Sequence, residues 1–161
     1  MKSIFEGDKV LVLNDIRSME NVGSLMRTAD AAGIRYIYMC GITPTPIDRF
    51  GRTVKAIQKA ALGAEETIKW EKCEDPIELL NNLKRAGFQI VSIEQSDTSV
   101  DYKDIKLSGK IAFVLGNEVG GISPEILKLS DYIAEIPMQG KKESLNVAVA
   151  GGIAIFRILG I

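Results

Sequence analysis

The chain has 161 residues, 46% of them hydrophobic and 25% charged, which are the proportions of a soluble globular protein the size of one domain. Lys and Arg number 20 against 21 Asp and Glu, so the formal charge is −1 and a polycation that coats nucleic acid is excluded. The chain has no histidine, which removes His-based triads, His general bases and most catalytic zinc sites.

Strand and helix signals alternate along the chain. The apolar run 9–13 predicts a strand, stopped at the turn signal Asn14-Asp15. Val22, Leu25, Met26, Ala29 and Ala32 follow helical spacing and predict a helix over 21–32, with Gly33 after its end. The β-branched and aromatic stretch 34–40 predicts a strand, and 41–53, with Pro44, Pro46 and Gly51, a loop. A short helix over 54–62 ends at Gly63, a weak strand follows at 67–70, and Pro76 opens a helix that runs to 86. Strands are expected at 88–93, 111–115 and 131–136. A helix starts at Ser123-Pro124-Glu125, and a last helix covers 144–159. This alternation predicts an α/β fold, a mostly parallel sheet with helices on both faces, in one domain over 1–161.

Cys40 and Cys73 have no metal or CxxC spacing and read as free thiols of a reducing compartment. MKSIFEGDKV lacks the apolar core of a signal peptide, and no apolar run reaches the roughly 20 residues that span a bilayer. The expected location is cytoplasmic.

Ligands of open α/β sheets bind beyond the carboxyl ends of the strands. Three loops there are rich in polar groups and lead into helices: 14–21, 116–121 and 137–144. Each offers unpaired backbone N–H groups at a positive helix end. Neither GxGxxG nor GxxxxGK[ST] is present, so an ordinary dinucleotide site or P-loop is not expected. Asn117-Glu118 beside Gly120-Gly121 joins a carboxylate to a loop open to close approach. Asn21 is either a helix cap or a site residue. Arg27 is either a solvated helix charge or a group at the edge of the buried stripe. The last helix is apolar on nearly every face, which predicts that a second subunit covers it. Gly151-Gly152 costs about 2 kcal/mol of helix propensity, which close approach of another backbone would explain.

Taken together, these loops carry a resemblance. Asn21-Val22-Gly23-Ser24-Leu25-Met26-Arg27-Thr28-Ala29 resembles the first motif of the SpoU (TrmH-type) RNA methyltransferases of the SPOUT superfamily. Residues 113–122, FVLGNEVGGI, look like the second motif, and 136–148, from Ile136-Pro137-Met138 to Ser144-Leu145-Asn146-Val147-Ala148, like the third. The likeness runs in the family's order from about Val10 to the C-terminus. Ala148 departs from the Ser that members often carry.

The resemblance implies a deep C-terminal trefoil knot, S-adenosylmethionine bound in it, a homodimer through the C-terminal helix, and methylation of a ribose 2′-hydroxyl of structured RNA, tRNA ahead of rRNA. It assigns catalysis to Arg27, Asn21, Glu118, Ser144 and Asn146. It assigns the cofactor to Glu94, Leu115, Gly116, Asn117, Ile136, Met138, Gly140, Ser144, Leu145 and Asn146. Arg27 would act as base or would position the nucleotide phosphate; because arginine keeps its proton, positioning takes the larger share. Glu118 would accept from Arg27 or from a ligand hydroxyl. With no overall positive charge, RNA is expected to meet Arg17, Arg27, Arg49, Arg52 and Lys141, with Lys55, Lys59 and Lys142 as further candidates. Two other classes are a non-catalytic RNA-binding or ribosome-assembly factor of the same fold, and a flavodoxin-like small-ligand module.

Overall fold

The computed structural model describes residues 7–161. The N-terminal stretch read for a leader lies largely outside them. Seven strands form one sheet: β1 (Lys9–Asn14), β2 (Tyr36–Cys40), β3 (Lys69–Cys73), β4 (Phe88–Ile93), β5 (Val100–Asp101), β6 (Lys110–Leu115) and β7 (Tyr132–Glu135). Their order is β3-β2-β1-β6-β4-β7-β5, and every pair is parallel. The helices are α1 (Met19–Ala31), α2 (Lys55–Ala61), α3 (Ala64–Thr67), α4 (Pro76–Arg85), α5 (Pro124–Leu129) and α6 (Val147–Leu159).

A parallel strand covered on both faces must be apolar on both. β1 and β6 show this directly. Leu11 and Leu13, with Phe113 and Leu115, point into one core with residues of α1, α2 and α6. Val10 and Val12, with Ala112 and Val114, point into the other, under α4 and α5. The period of two along a strand sends alternate residues to opposite faces. All seven strands run the same way, so the loops after them gather at one edge of the sheet.

Several boundaries differ from expectation. α1 starts at Met19, because Ser18 is its cap and accepts from the Asn21 N–H at 3.1 Å. Asn21 is therefore not the cap, and its side chain is left for other work. The weak strand expected at 67–70 is β3 at Lys69–Cys73, preceded by the one-turn helix α3. The two-residue β5 carries too little pattern to be legible. α6 starts at Val147 rather than 144, with Asn146 as its cap. Both cysteines are free, and burial pushes the Cys40 thiol far up, so it is a poor nucleophile.

α6 buries Gly151, Ala154 and Ile155 against its own chain. A Cβ at Gly151 would lie 2.8 Å from the side chains of both Leu25 and Leu115. Intrachain packing therefore already disfavours a side chain there. Gly152 has ordinary room, 3.8 Å from Thr28. The outer face of α6 stays open in the single chain: Val149 is 50% and Ile153 41% exposed. No described helix is long and apolar enough to cross a membrane.

Gly23 sets the approach of α1 to α2. A Cβ there would sit 2.5 Å from the Ile57 carbonyl oxygen and 2.7 Å from Ala60 Cβ. Backbone cannot yield as a side chain can, so the helices must separate. Overlap with backbone puts Gly23→Ala at the upper end of overpacking, about 2–3 kcal/mol, less about 1 kcal/mol from better helix propensity. Urea unfolding checks it: the midpoint falls with m unchanged. An unshifted midpoint would contradict so close a crossing.

Candidate active site

The loops after β4, β6 and β7 and the start of α6 enclose a cavity of about 250 Å³. Its wall includes Leu115, Ala134, Ile136, Met138, Leu145 and Val147 on the apolar side, and Glu94, Asn117, Glu118, Ser144 and Asn146 on the polar side. The cavity is apolar with a few convergent polar groups, as small-molecule sites are.

Glu118 is the hub of the polar wall. Its carboxylate accepts from the backbone N–H of Arg17 at 2.9 Å, from that of Ser18 at 3.0 Å and from Asn21 Nδ2 at 3.1 Å. Asn21 Oδ1 in turn accepts from Asn146 Nδ2 at 3.1 Å. Asn146 Oδ1 accepts from the N–H groups of Ala148 and Val149, at 2.9 and 3.3 Å, and so caps α6. A carboxylate can only accept, which fixes both amides: Asn21 turns its NH₂ to Glu118 and its oxygen to Asn146. The three side chains form one polarised chain joining the N-terminal ends of α1 and α6. Burial alone would raise the Glu118 pKa, but its N–H donors outweigh burial and hold it below the usual carboxylate value. Glu118 thus keeps a negative charge on the cavity wall, beside two positive helix ends.

The neighbouring loops are fixed in similar ways. Glu94 Oε2 accepts from the Ile122 N–H at 3.0 Å. A Cβ at Gly121, where φ is +67°, would meet that oxygen at 2.5 Å. Asn117 Nδ2 donates to the Asp15 carbonyl at 2.8 Å, and its Oδ1 accepts from Val119 and Gly120. Gln95 Nε2 donates to the Glu143 carbonyl at 2.8 Å, holding the segment after β7. Within 137–145, no backbone N–H finds a protein partner among the described residues. Peptide groups beside a cavity with no internal partner are free for a ligand.

Of the expected cofactor residues, Glu94, Leu115, Gly116, Asn117, Ile136, Met138, Ser144, Leu145 and Asn146 all line this cavity. Gly140 does not: it lies exposed on the loop after β7, with open space around it. Of the expected catalytic residues, Glu118, Ser144 and Asn146 line the wall, and Asn21 is tied to two of them. Arg27 is not brought to Glu118. It is exposed on α1, and its side chain makes no hydrogen bond or ion pair among the described residues. Arg17 meets the site through its backbone only. Arg49 and Arg52 sit on the loop after β2, and Lys141 on the loop after β7, all exposed.

Thr43 was not legible as a site residue. Fully buried, it donates to the Leu13 carbonyl at 2.9 Å and accepts from the Ile16 N–H at 3.0 Å. It thereby pins the loop that delivers Arg17 and Ser18 to Glu118. Nothing in the local sequence distinguishes it from any loop threonine.

A family model described as "SpoU rRNA Methylase family" matches residues 8–156. The chain belongs to this family. A tRNA (guanosine(18)-2′-O)-methyltransferase of Aquifex aeolicus is 32% identical over 149 residues, 92% of this chain and 67% of that protein. The 23S rRNA (guanosine-2′-O-)-methyltransferase RlmB of Coxiella burnetii is 31% identical, over 92% of this chain and 57% of its own length. An AdoMet-bound rRNA methyltransferase structure from Sinorhizobium meliloti superposes with a TM-score of 0.84 at 30% identity, over 96% of this chain and 56% of that one. This SpoU chain therefore spans little more than half the length of the RlmB protein and of the Sinorhizobium chain.

Proposed function

We propose that the protein transfers a methyl group from S-adenosylmethionine to a ribose 2′-hydroxyl of structured RNA, with tRNA favoured over rRNA. The observation that carries this is the cavity itself. Three chain segments remote in sequence close on it, with free peptide groups on one side and the Asn146–Asn21–Glu118 chain on the other. The residues fit the cofactor. Leu115, Ile136, Met138 and Leu145 offer apolar surface to an adenine, the peptide groups of 137–145 offer hydrogen bonds to its edge, and the Glu118 charge suits a cationic sulfonium. When bound, S-adenosylmethionine supplies an electrophilic methyl.

The chain's own residues do the rest. Among the described residues, Glu118's side-chain partners are N–H donors that fix loop 15–18 and Asn21, so its part is to hold these, not to take the ribose proton. Asn21 and Asn146 orient the ribose edge. Arg27, whose side chain has no partner among the described residues, clamps the nucleotide phosphate. Relatives named for tRNA and for 23S rRNA both support an RNA substrate. A non-catalytic factor has no need of Asn21, Arg27, Glu118 and Asn146 together, and all are present.

The fold reading extends to a trefoil knot, supported by the return of the segment after β7 past the loops of β4 and β6 to α1. It extends also to a cytoplasmic homodimer, supported by the open apolar face of α6. Ile153→Asp is expected to shift sedimentation from dimer to monomer; a wild-type monomer would contradict the subunit contact. The activity is tested with methyl-labelled S-adenosylmethionine and separate tRNA and rRNA fractions, digested to nucleosides. Label in a 2′-O-methylnucleoside from tRNA is expected. Label on a base, or in no nucleoside, would contradict the reaction.

A further inference from the structure

The loop after β2 carries an aromatic ring that the reaction does not use. Phe50 is 64% exposed at the tip of a tight turn. The Arg49 guanidinium lies 4.7 Å and that of Arg52 4.9 Å from the ring centroid. Two cation–π contacts thus hold the ring while most of its surface stays accessible.

The turn is built rather than loose. Asp48 Oδ1 accepts from the Phe50 and Arg52 N–H groups at 2.8 and 3.0 Å, and its Oδ2 from Arg52 Nε at 2.9 Å. Asp48 and Arg52 also pair through the backbone at 2.9 Å, and Ile47 bridges Thr53. Phe50 is thus presented at little ordering cost on binding. Arg49, Arg52, Lys55 and Lys59 follow one another with no acidic residue through 49–64. The start of the loop lies near the cavity. Exposed Ile42 lines a second hollow with Asn117 and Gly121, and those two also line the cavity.

We propose that Phe50, flanked by Arg49 and Arg52, is a stacking platform for an unpaired base of the substrate RNA. This rests on the RNA reading above. Aromatic faces beside guanidinium groups take unpaired bases of any sequence, with the neighbouring cations on the backbone. The platform would hold a base away from the methylated nucleotide and so set which single-stranded elements reach the cavity.

The test uses the full chain and two labelled RNAs of about 12 nucleotides, one single-stranded and of mixed sequence, the other a duplex. Phe50→Ala is expected to weaken single-strand binding by about 5- to 150-fold, with duplex binding and the calorimetric affinity for S-adenosylmethionine unchanged. Phe50→Trp is expected to keep wild-type affinity. Phe50→Ala leaves the salt dependence as it was, because no charge is lost, whereas Arg49→Gln lowers its slope by about one. Wild-type affinity in Phe50→Ala would overturn the platform alone if the wild type still methylates RNA. Failure of the wild type to bind or methylate any RNA would overturn the platform together with the RNA reading. Loss of dimer in Phe50→Ala would make the ring a subunit contact and overturn it too.

Discussion

Arg27→Ala is expected to lower the turnover of methyl transfer by about 1,000-fold, the cost of losing a charged clamp that holds the nucleotide in line for reaction. The fold and the cofactor site survive it. The Arg27 side chain is exposed and makes no hydrogen bond or ion pair among the described residues, so stability should stay within about 0.5 kcal/mol of wild type. It does not line the cavity, so calorimetry with S-adenosylmethionine should give wild-type affinity. Steady-state kinetics with RNA separates its roles. Arg27→Lys keeps the charge but loses the bidentate fork, and should recover only part of the loss. Near-normal turnover in Arg27→Ala would remove the residue from the reaction.

Glu118→Gln should be almost as damaging for a different reason. The glutamine amide can offer one acceptor oxygen where the carboxylate offers two, and its NH₂ would face the N–H groups of Arg17, Ser18 or Asn21. Asn21 then loses its orientation, and the chain to Asn146 breaks. Misplacement of this order costs about 100-fold in turnover. Because the folded-state pKa of Glu118 lies below the ordinary glutamate value, its contribution is fully present above that ordinary value and is lost as pH falls through the depressed one. Wild-type stability therefore carries an acid-side loss that Glu118→Gln lacks. Thermal melts of both proteins from neutral pH down to about pH 3 measure it. Parallel curves would show that the hydrogen bonds do not favour the ionised carboxylate.

Much of the fold was legible because its signals are local. The apolar runs of β1 and β6, Pro76 and Pro124 at helix starts, and Gly33, Gly63 and Gly87 after helix ends each reflect constraints within a few residues. The sheet order was not, because β1 and β6 pair across about a hundred residues and no local pattern encodes a neighbour. The same limit applies inside the site. Loops 14–21, 116–121 and 137–144 were singled out from their polar residues. That Glu118 holds the entry to α1 instead of Arg27 depends on backbone N–H groups, which carry no sequence identity. Asn21 was ambiguous until Ser18 proved to be the cap. The close neighbours of Gly151, Leu25 and Leu115, were not legible because they belong to distant elements of the same chain.

A crystal structure with S-adenosylmethionine bound measures the central claim most directly. The ligand should lie between the loops after β4, β6 and β7, with adenine against Leu115, Ile136 and Leu145, hydrogen bonds from the backbone of 137–145, and its methyl on the side of Asn21 and Glu118. A ligand seated elsewhere on the molecule, or one whose methyl points away from that pair, would contradict the account.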